Sequence, residues 1–185
     1  MQKIVDFTRM EDGTKEEFEF LDELEDGFNL GLPDRLLKTL DGLKDSFSGY
    51  RISRYEHCLQ SATRAYENNE DEDMVMAALF HDIGDELAPY THGEMVAAIL
   101  KPFVSEKAAW IVKHHGVFQQ HYMAHMSEEE KNARDYFKDS PYYEECINFC
   151  KNYDQNCFDP NYVHYPVEFF EPMVRRVFTR TPEFA

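Results

Sequence analysis

Met74-Val75-Met76-Ala77-Ala78-Leu79-Phe80-His81-Asp82-Ile83-Gly84 is the stretch on which the reading of this chain turns. An apolar run with no alternation reads as a short buried helix. An imidazole and a carboxylate side by side at its end are poor core residues unless something pairs them. They are good metal ligands, because neutral imidazole takes borderline cations and a carboxylate can bridge two of them. Alone, the pair also reads as a satisfied buried hydrogen bond. It gains meaning from His57, His92, His115 and Asp154, which lie where neighbouring helices can converge on it.

Outward from this run, helical periodicity dominates, with no alternating strand and no internal repeat. Thr14 is suited to cap a helix from Lys15 to about Asp26, with Phe18, Leu21 and Leu24 on one side. Gly31-Leu32-Pro33 breaks it, and Pro33 suits the first turn of a second helix carrying Leu36, Leu37, Leu40 and Leu43. Asp45 to Arg51 reads as a loop. Ser53 caps the helix of His57, which runs to about Asn68, and an acidic connection leads into the apolar run. After a turn closed by Pro89, Thr91 caps a helix from His92 to about Leu100. Ser105 and Glu106 open another that reaches His115 and ends at Gly116. Val117 to Asp139 reads as a partly helical excursion. Ser140-Pro141 starts a helix through Cys157 that holds Asp154, and Pro166 begins a last one with Phe169, Phe170, Val174 and Phe178. About ten helices in an all-α bundle are expected.

Composition narrows the function classes. With 185 residues, 43% hydrophobic and 15% aromatic, the chain can build one globular domain with a sizeable core. Its formal charge of −17 disfavours nucleic acid and anionic membranes as partners. The same charge tolerates a cationic small molecule, although a solvated acidic surface is the favoured explanation of it. Cys58, Cys146, Cys150 and Cys157 form no C-x-x-C pair, and Cys146 and Cys150 share a helix face as small apolar residues. No leader-like or membrane-spanning apolar segment is evident, so a cytoplasmic, reduced protein is expected.

On the helix of His57, Ser61 and Arg64 fall on the same stripe at i+4 and i+7, so Arg64 is a candidate anion clamp beside a metal. His114 is turned about 100° from His115, so one of the two points inward. Singly, each of these residues also reads as an ordinary surface or capping group.

The order His57, His81-Asp82, Asp154, all on helices, resembles the HD-domain superfamily of helical metal-dependent proteins over about residues 53–157. The resemblance implies one HD-type domain over 1–185, with helices 14–45 and 166–180 packed on the metal-binding core. It also implies that those four residues bind a first metal. His92 and His115 match the ligands that two-metal members add, with Asp82 as the bridge. Tyr55-Glu56-His57-Cys58-Leu59-Gln60, Ala77 to Gly84, and the run from His92 to His115 look most like the mixed-valent diiron oxygenases of hydroxyalkylphosphonates, relatives of myo-inositol oxygenase. Phe7-Thr8-Arg9-Met10-Glu11-Asp12-Gly13-Thr14 looks like a subgroup whose substrate bears a trimethylammonium group.

What this resemblance implies is a cytoplasmic non-haem diiron dioxygenase holding two iron ions. Its His81 and Asp82 are catalytic, and its partners are a small hydroxyphosphonate and O2. (1-Hydroxy-2-(trimethylamino)ethyl)phosphonate would be cleaved at its carbon–phosphorus bond to glycine betaine and phosphate. Lys151 stands where the group places a basic residue for the phosphonate. Gln119 replaces another such basic residue, and Phe47 and Tyr50 stand where the aminoethyl-phosphonate enzyme has a lid tyrosine and an amine-binding carboxylate. Aromatic rings suit a quaternary ammonium, which offers no hydrogen bonds. Phe47, Tyr50, Tyr55, Tyr122 and Tyr153 are candidates, with core or rim packing as the alternative.

Two further readings use the same residues. The ligands could polarise water for attack on a small phosphoester or nucleotide, as in an HD phosphohydrolase, or could retain metal in a regulatory domain with no anion-binding groups beside it. His121 and His125 share a helical spacing without an evident third ligand. His164 carries no signal. Arg175, Arg176 and Arg180 are candidate phosphonate contacts ranked below Lys151 and Arg64.

Overall fold

The structure is a computed structural model, and it describes residues 3–183. The described residues are all-helical, with no strand among them. Nine α-helices follow one another: α1 Lys15–Asn29, α2 Leu32–Gly42, α3 Arg54–Glu67, α4 Glu72–Phe80, α5 His92–Leu100, α6 Glu106–Gln119, α7 Glu128–Lys131, α8 Tyr143–Phe149 and α9 Val167–Phe178. The ends of the expected 1–185 domain, residues 1–2 and 184–185, lie outside the described residues.

Local chemistry sets most boundaries. Thr14 with Glu17 and Ser53 with Glu56 close reciprocal capping boxes at the starts of α1 and α3. Asp71 caps α4 by accepting from the Met74 amide at 2.9 Å, and Ser105 caps α6 while its own amide donates to Asp73 at 2.8 Å. Three expectations change. Thr91 makes no side-chain cap, and the chain enters α5 through a turn in which the Thr91 amide donates to the Ala88 carbonyl. Gly116 does not end α6, which continues to Gln119. A glycine inside a helix costs about 1 kcal/mol, and the fully buried Phe118 two residues on outweighs it. The helix expected from Ser140 begins at Tyr143 and passes at Cys150–Asp154 into a π-turn, closed by the Gln155 amide on the Cys150 carbonyl at 2.9 Å.

Helix α4 is the axis of the core, with every residue from Met74 to Ile83 at most 3% exposed. It packs against α3, α6 and α9, while α5 lies on α6 and α8 joins α6. Two glycines permit the closest approaches. A Cβ on Gly84 would sit 3.0 Å from the His92 carbonyl oxygen, and one on Gly93 would sit 2.8 Å from that of Val112. Because both lack that atom, α5 can close onto α6 and onto the end of α4.

Arg175 pairs with Asp34 at 2.8 Å, Arg176 with Glu72, and Arg180 with Asp73 at 2.6 Å. These pairs tie α9 to α2 and to the start of α4, so the three arginines are structural ties and not phosphonate contacts. Helix α1 buries none of its residues, and Leu24 and Phe28 on it are 48% and 63% exposed.

Candidate metal centre

Five elements deliver side chains to one buried point. His57 comes from the first turns of α3, His81 and Asp82 from the end of α4, His92 from the start of α5, His115 from α6, and Asp154 from the π-turn. On one side, His57 Nε2 is 3.0 Å from His81 Nε2 and 3.4 Å from both Asp82 Oδ2 and Asp154 Oδ1. His81 Nε2 is 3.5 Å from Asp82 Oδ2 and 3.8 Å from Asp154 Oδ1. On the other side, His92 Nε2 is 3.1 Å from His115 Nε2, and these two atoms lie 3.6 and 3.5 Å from Asp82 Oδ1. Asp82 thus turns one carboxylate oxygen to each histidine pair.

The hydrogen-bond pattern explains the orientation of the rings. Nδ1 of His57, His81 and His115 meets the carbonyls of Cys157, Ala78 and Val112 at 2.9, 2.8 and 2.7 Å. A carbonyl only accepts, so each Nδ1 donates and each Nε2 presents a lone pair whenever its ring is neutral. Lone pairs 3.0–3.1 Å apart repel unless a positive charge lies between them. Ligand atoms about 2.1 Å from one ion are separated by about 3.0 Å at adjacent octahedral corners and about 3.4 Å in a tetrahedron. The 3.0–3.4 Å separations fit that range, the remaining 3.5–3.8 Å ones exceed it by at most 0.4 Å, and Asp154 Oδ2 is a buried acceptor without a partner. The residues present therefore suit divalent ions with nitrogen and oxygen ligands. Groups able to hold an ion are His57, His81 and Asp154; His81, Asp82 and His115; and Asp82, Asp85 and His92.

The electrostatics show the same need for positive charge. Burial pushes His81 down to about 4. Burial also opposes charging His115, but its hydrogen bond to Asp82 wins and lifts it to about 9. Asp82 is held well below the usual carboxylate range, because His81, His115 and Arg54 outweigh its burial. Protons on the ring can neutralise the carboxylates, and a bound ion would displace them.

Residues without a role in the sequence reading complete the centre. Arg54 Nη1 donates to Asp82 Oδ2 at 3.1 Å, and its Nε lies 3.1 Å from Asp85, whose other oxygen is 3.4 Å from His92 Nδ1. The signal for Arg54 was present, since it stands three residues before His57 on the stripe that also carries Ser61. Asp85 follows a glycine in a turn, where no periodicity marks it. Phe158 stacks on His57 at 4.4 Å and on Tyr50 at 4.8 Å, and Tyr50 meets Phe47 edge-on at 6.1 Å. Phe47 and Tyr50 are 70% and 47% exposed, so this ladder of rings runs from solvent to the candidate ligand His57.

The other candidates are dispersed. Arg64 is not a clamp at the centre: its guanidinium stacks on Tyr162 at 4.0 Å and donates to the Asn156 carbonyl at 3.3 Å. Ser61 is fully buried, and its hydroxyl has no partner. Tyr153 is no substrate contact, because it is 2% exposed and its hydroxyl is taken by Glu70 at 2.8 Å and by the Asn68 amide. Tyr55 packs under the Lys44 ammonium, which lies 4.6 Å from its ring centre. Lys151 is exposed and makes no side-chain hydrogen bond or ion pair among the described residues. Gln119 is at the centre, donating to Asp154 Oδ1 at 2.6 Å. Tyr122 is 38% exposed beside His121. His114 points outward against Trp110 and Phe137, leaving His115 as the inward ring. His121 meets Arg134 instead of pairing with the exposed His125, and His164 bonds only the neighbouring Tyr165 carbonyl.

The HD domain family has a model that matches residues 54–147, just over half of the chain. The match contains five of the clustered residues, His57, His81, Asp82, His92 and His115, and stops before Asp154. No curated protein matches the chain.

Proposed function

The chain belongs to the HD-domain family, typically metal-dependent enzymes, and on that premise we propose that it is a diiron oxygenase of a 1-hydroxyalkylphosphonate. The observation that carries this reading is the division of Asp82, one oxygen 3.4 Å from His57 and the other 3.5 Å from His115. A carboxylate so placed suits a bridge between two ions. His57, His81 and Asp154 would hold one, and His92 and His115 the other. Nitrogen and oxygen ligands without thiolate suit iron, which when bound supplies the redox chemistry that dioxygen activation needs.

The chain's own residues bind, orient and exclude water. Arg54 fixes the Asp82 carboxylate and balances its charge. Phe47, at the exposed end of the ladder, offers a ring face for a quaternary ammonium, which favours the trimethylammonium-bearing substrate over a primary amine. The reaction would convert (1-hydroxy-2-(trimethylamino)ethyl)phosphonate and O2 to glycine betaine and phosphate. It breaks the carbon–phosphorus bond and places one oxygen atom on each fragment.

An HD phosphohydrolase could use the same ligands, and oxygen consumption separates the two. Protein loaded with iron anaerobically and then given oxygen and the hydroxyphosphonate should release phosphate and consume oxygen in equal amounts, with a paramagnetic Fe(II)/Fe(III) pair. Phosphate released from phosphoesters without oxygen uptake would establish the hydrolase instead.

A further inference from the structure

We propose that Arg134, backed by His121, holds the anionic end of the substrate. The inference rests on the anionic substrate of the reading above, which the oxygenase and the hydrolase share. It begins at Gln119, whose amide is spent on Asp154 and brings no positive charge. The chain leaves α6 there and enters the turn Gln120–Tyr122, so His121 and Tyr122 follow directly from a residue at the centre. Arg134 returns to that place on the helical turn Ala133–Phe137, with Nη2 3.3 Å from His121 Nε2.

A guanidinium only donates, so His121 accepts at Nε2 and carries its proton on Nδ1. That leaves two buried donors without an acceptor, Arg134 Nε and His121 Nδ1. Buried donors are normally satisfied, and a buried charge is normally paired. Arg134 forms no ion pair among the described residues, although the chain carries 36 carboxylates against 19 Lys and Arg. The adjacent Asp135 is committed to Lys138 at 2.8 Å and to the Tyr143 hydroxyl at 2.9 Å.

Proximity to the candidate ligands has geometric support, because the turn Ala133–Phe137 packs on α6, the helix that carries His115 and Gln119, with Phe137 6.0 Å from Phe118. A planar fork beside an imidazole N–H is a good match for a phosphonate or phosphate group. Of the other two part-buried arginines whose Nε makes no hydrogen bond, Arg54 is paired with Asp82 and Asp85, and the guanidinium of Arg64 is stacked on Tyr162 beside Asn156.

The test is calorimetric titration of the metal-loaded protein with inorganic phosphate. Arg134→Gln should weaken binding about tenfold or more while leaving the metal content unchanged, as expected for loss of charge-assisted hydrogen bonds. Arg134→Lys should recover part of the loss. Should Arg134→Gln fail to fold, His121→Ala serves as the second variant, with an expected loss of several-fold. Phosphate binding equal to wild type in the folded variants, or no saturable binding by the wild type, overturns the proposal. Arg134-dependent phosphate binding by a protein that consumes no oxygen would remove the oxygenase reading and leave this one standing.

Discussion

A histidine that offers Nε2 to an ion needs something to hold its Nδ1, and the four rings of this centre differ in what they have. Backbone carbonyls grip His57, His81 and His115, and all three are buried. His92 has only the Asp85 carboxylate at 3.4 Å and remains 24% exposed, so it is the most weakly oriented of the four candidate ligands. His92→Ala is therefore expected to leave the ion of His57, His81 and Asp154 in place. It should weaken the second by about 100-fold or more and abolish turnover. Metal analysis after gel filtration should read one ion per chain, and two retained ions with full activity would show that His92 is no ligand. At this scale the sequence was legible where a ligand sits at a helix end or on a repeating stripe. Arg54 shares such a stripe and was readable in principle. Asp85 and Phe158 were not, because turns carry no periodicity and a ring's stacking partner is decided by tertiary packing.

The elements place the ligands through a few close approaches, and these can be tested separately from the ligands. Gly93 stands beside His92, and a Cβ there would meet the Val112 and Lys113 carbonyl oxygens at 2.8 and 2.9 Å. These are backbone atoms of α6 and cannot swing aside, so Gly93→Ala should lift α5 off α6. Overpacking of this kind costs about 1–3 kcal/mol. The displacement would draw His92 away from His115 while leaving His57, His81 and Asp154 together. The expected outcome is a lower melting temperature with selective loss of the second ion; a variant that melts like wild type with both ions bound would refute the assignment. Caps and apolar runs made most helices readable, as Ser53 with Glu56 and the run Met74–Phe80 illustrate. The π-turn at Cys150–Asp154 was not readable, since a shift from four- to five-residue hydrogen bonding has no compositional mark. Gly116 misled for the opposite reason: a residue that commonly ends a helix is kept inside one by the buried Phe118.

For the molecule as a whole, five separate elements meet at buried carboxylates and imidazoles whose charges are balanced internally only by Arg54 and ring protons. The ligand centre therefore couples ion binding to the stability of the entire bundle. An ion that binds only the folded chain adds about 2.7 kcal/mol when present at 100 times its dissociation constant. For a chain of this size that corresponds to a rise of about 5–10 °C in melting temperature. Prolonged chelation should lower the melting temperature by that amount, and re-addition of iron or manganese should restore it. The effect should be lost in Asp82→Ala, which removes the group common to both ion positions. The exposed pairs of Arg175 and Arg176 with Asp34 and Glu72 are screened by salt and contribute little, so the chelation shift should persist at high ionic strength. A melting temperature indifferent to chelator would mean that the lone pairs of His57 and His81 face each other for some reason other than an ion.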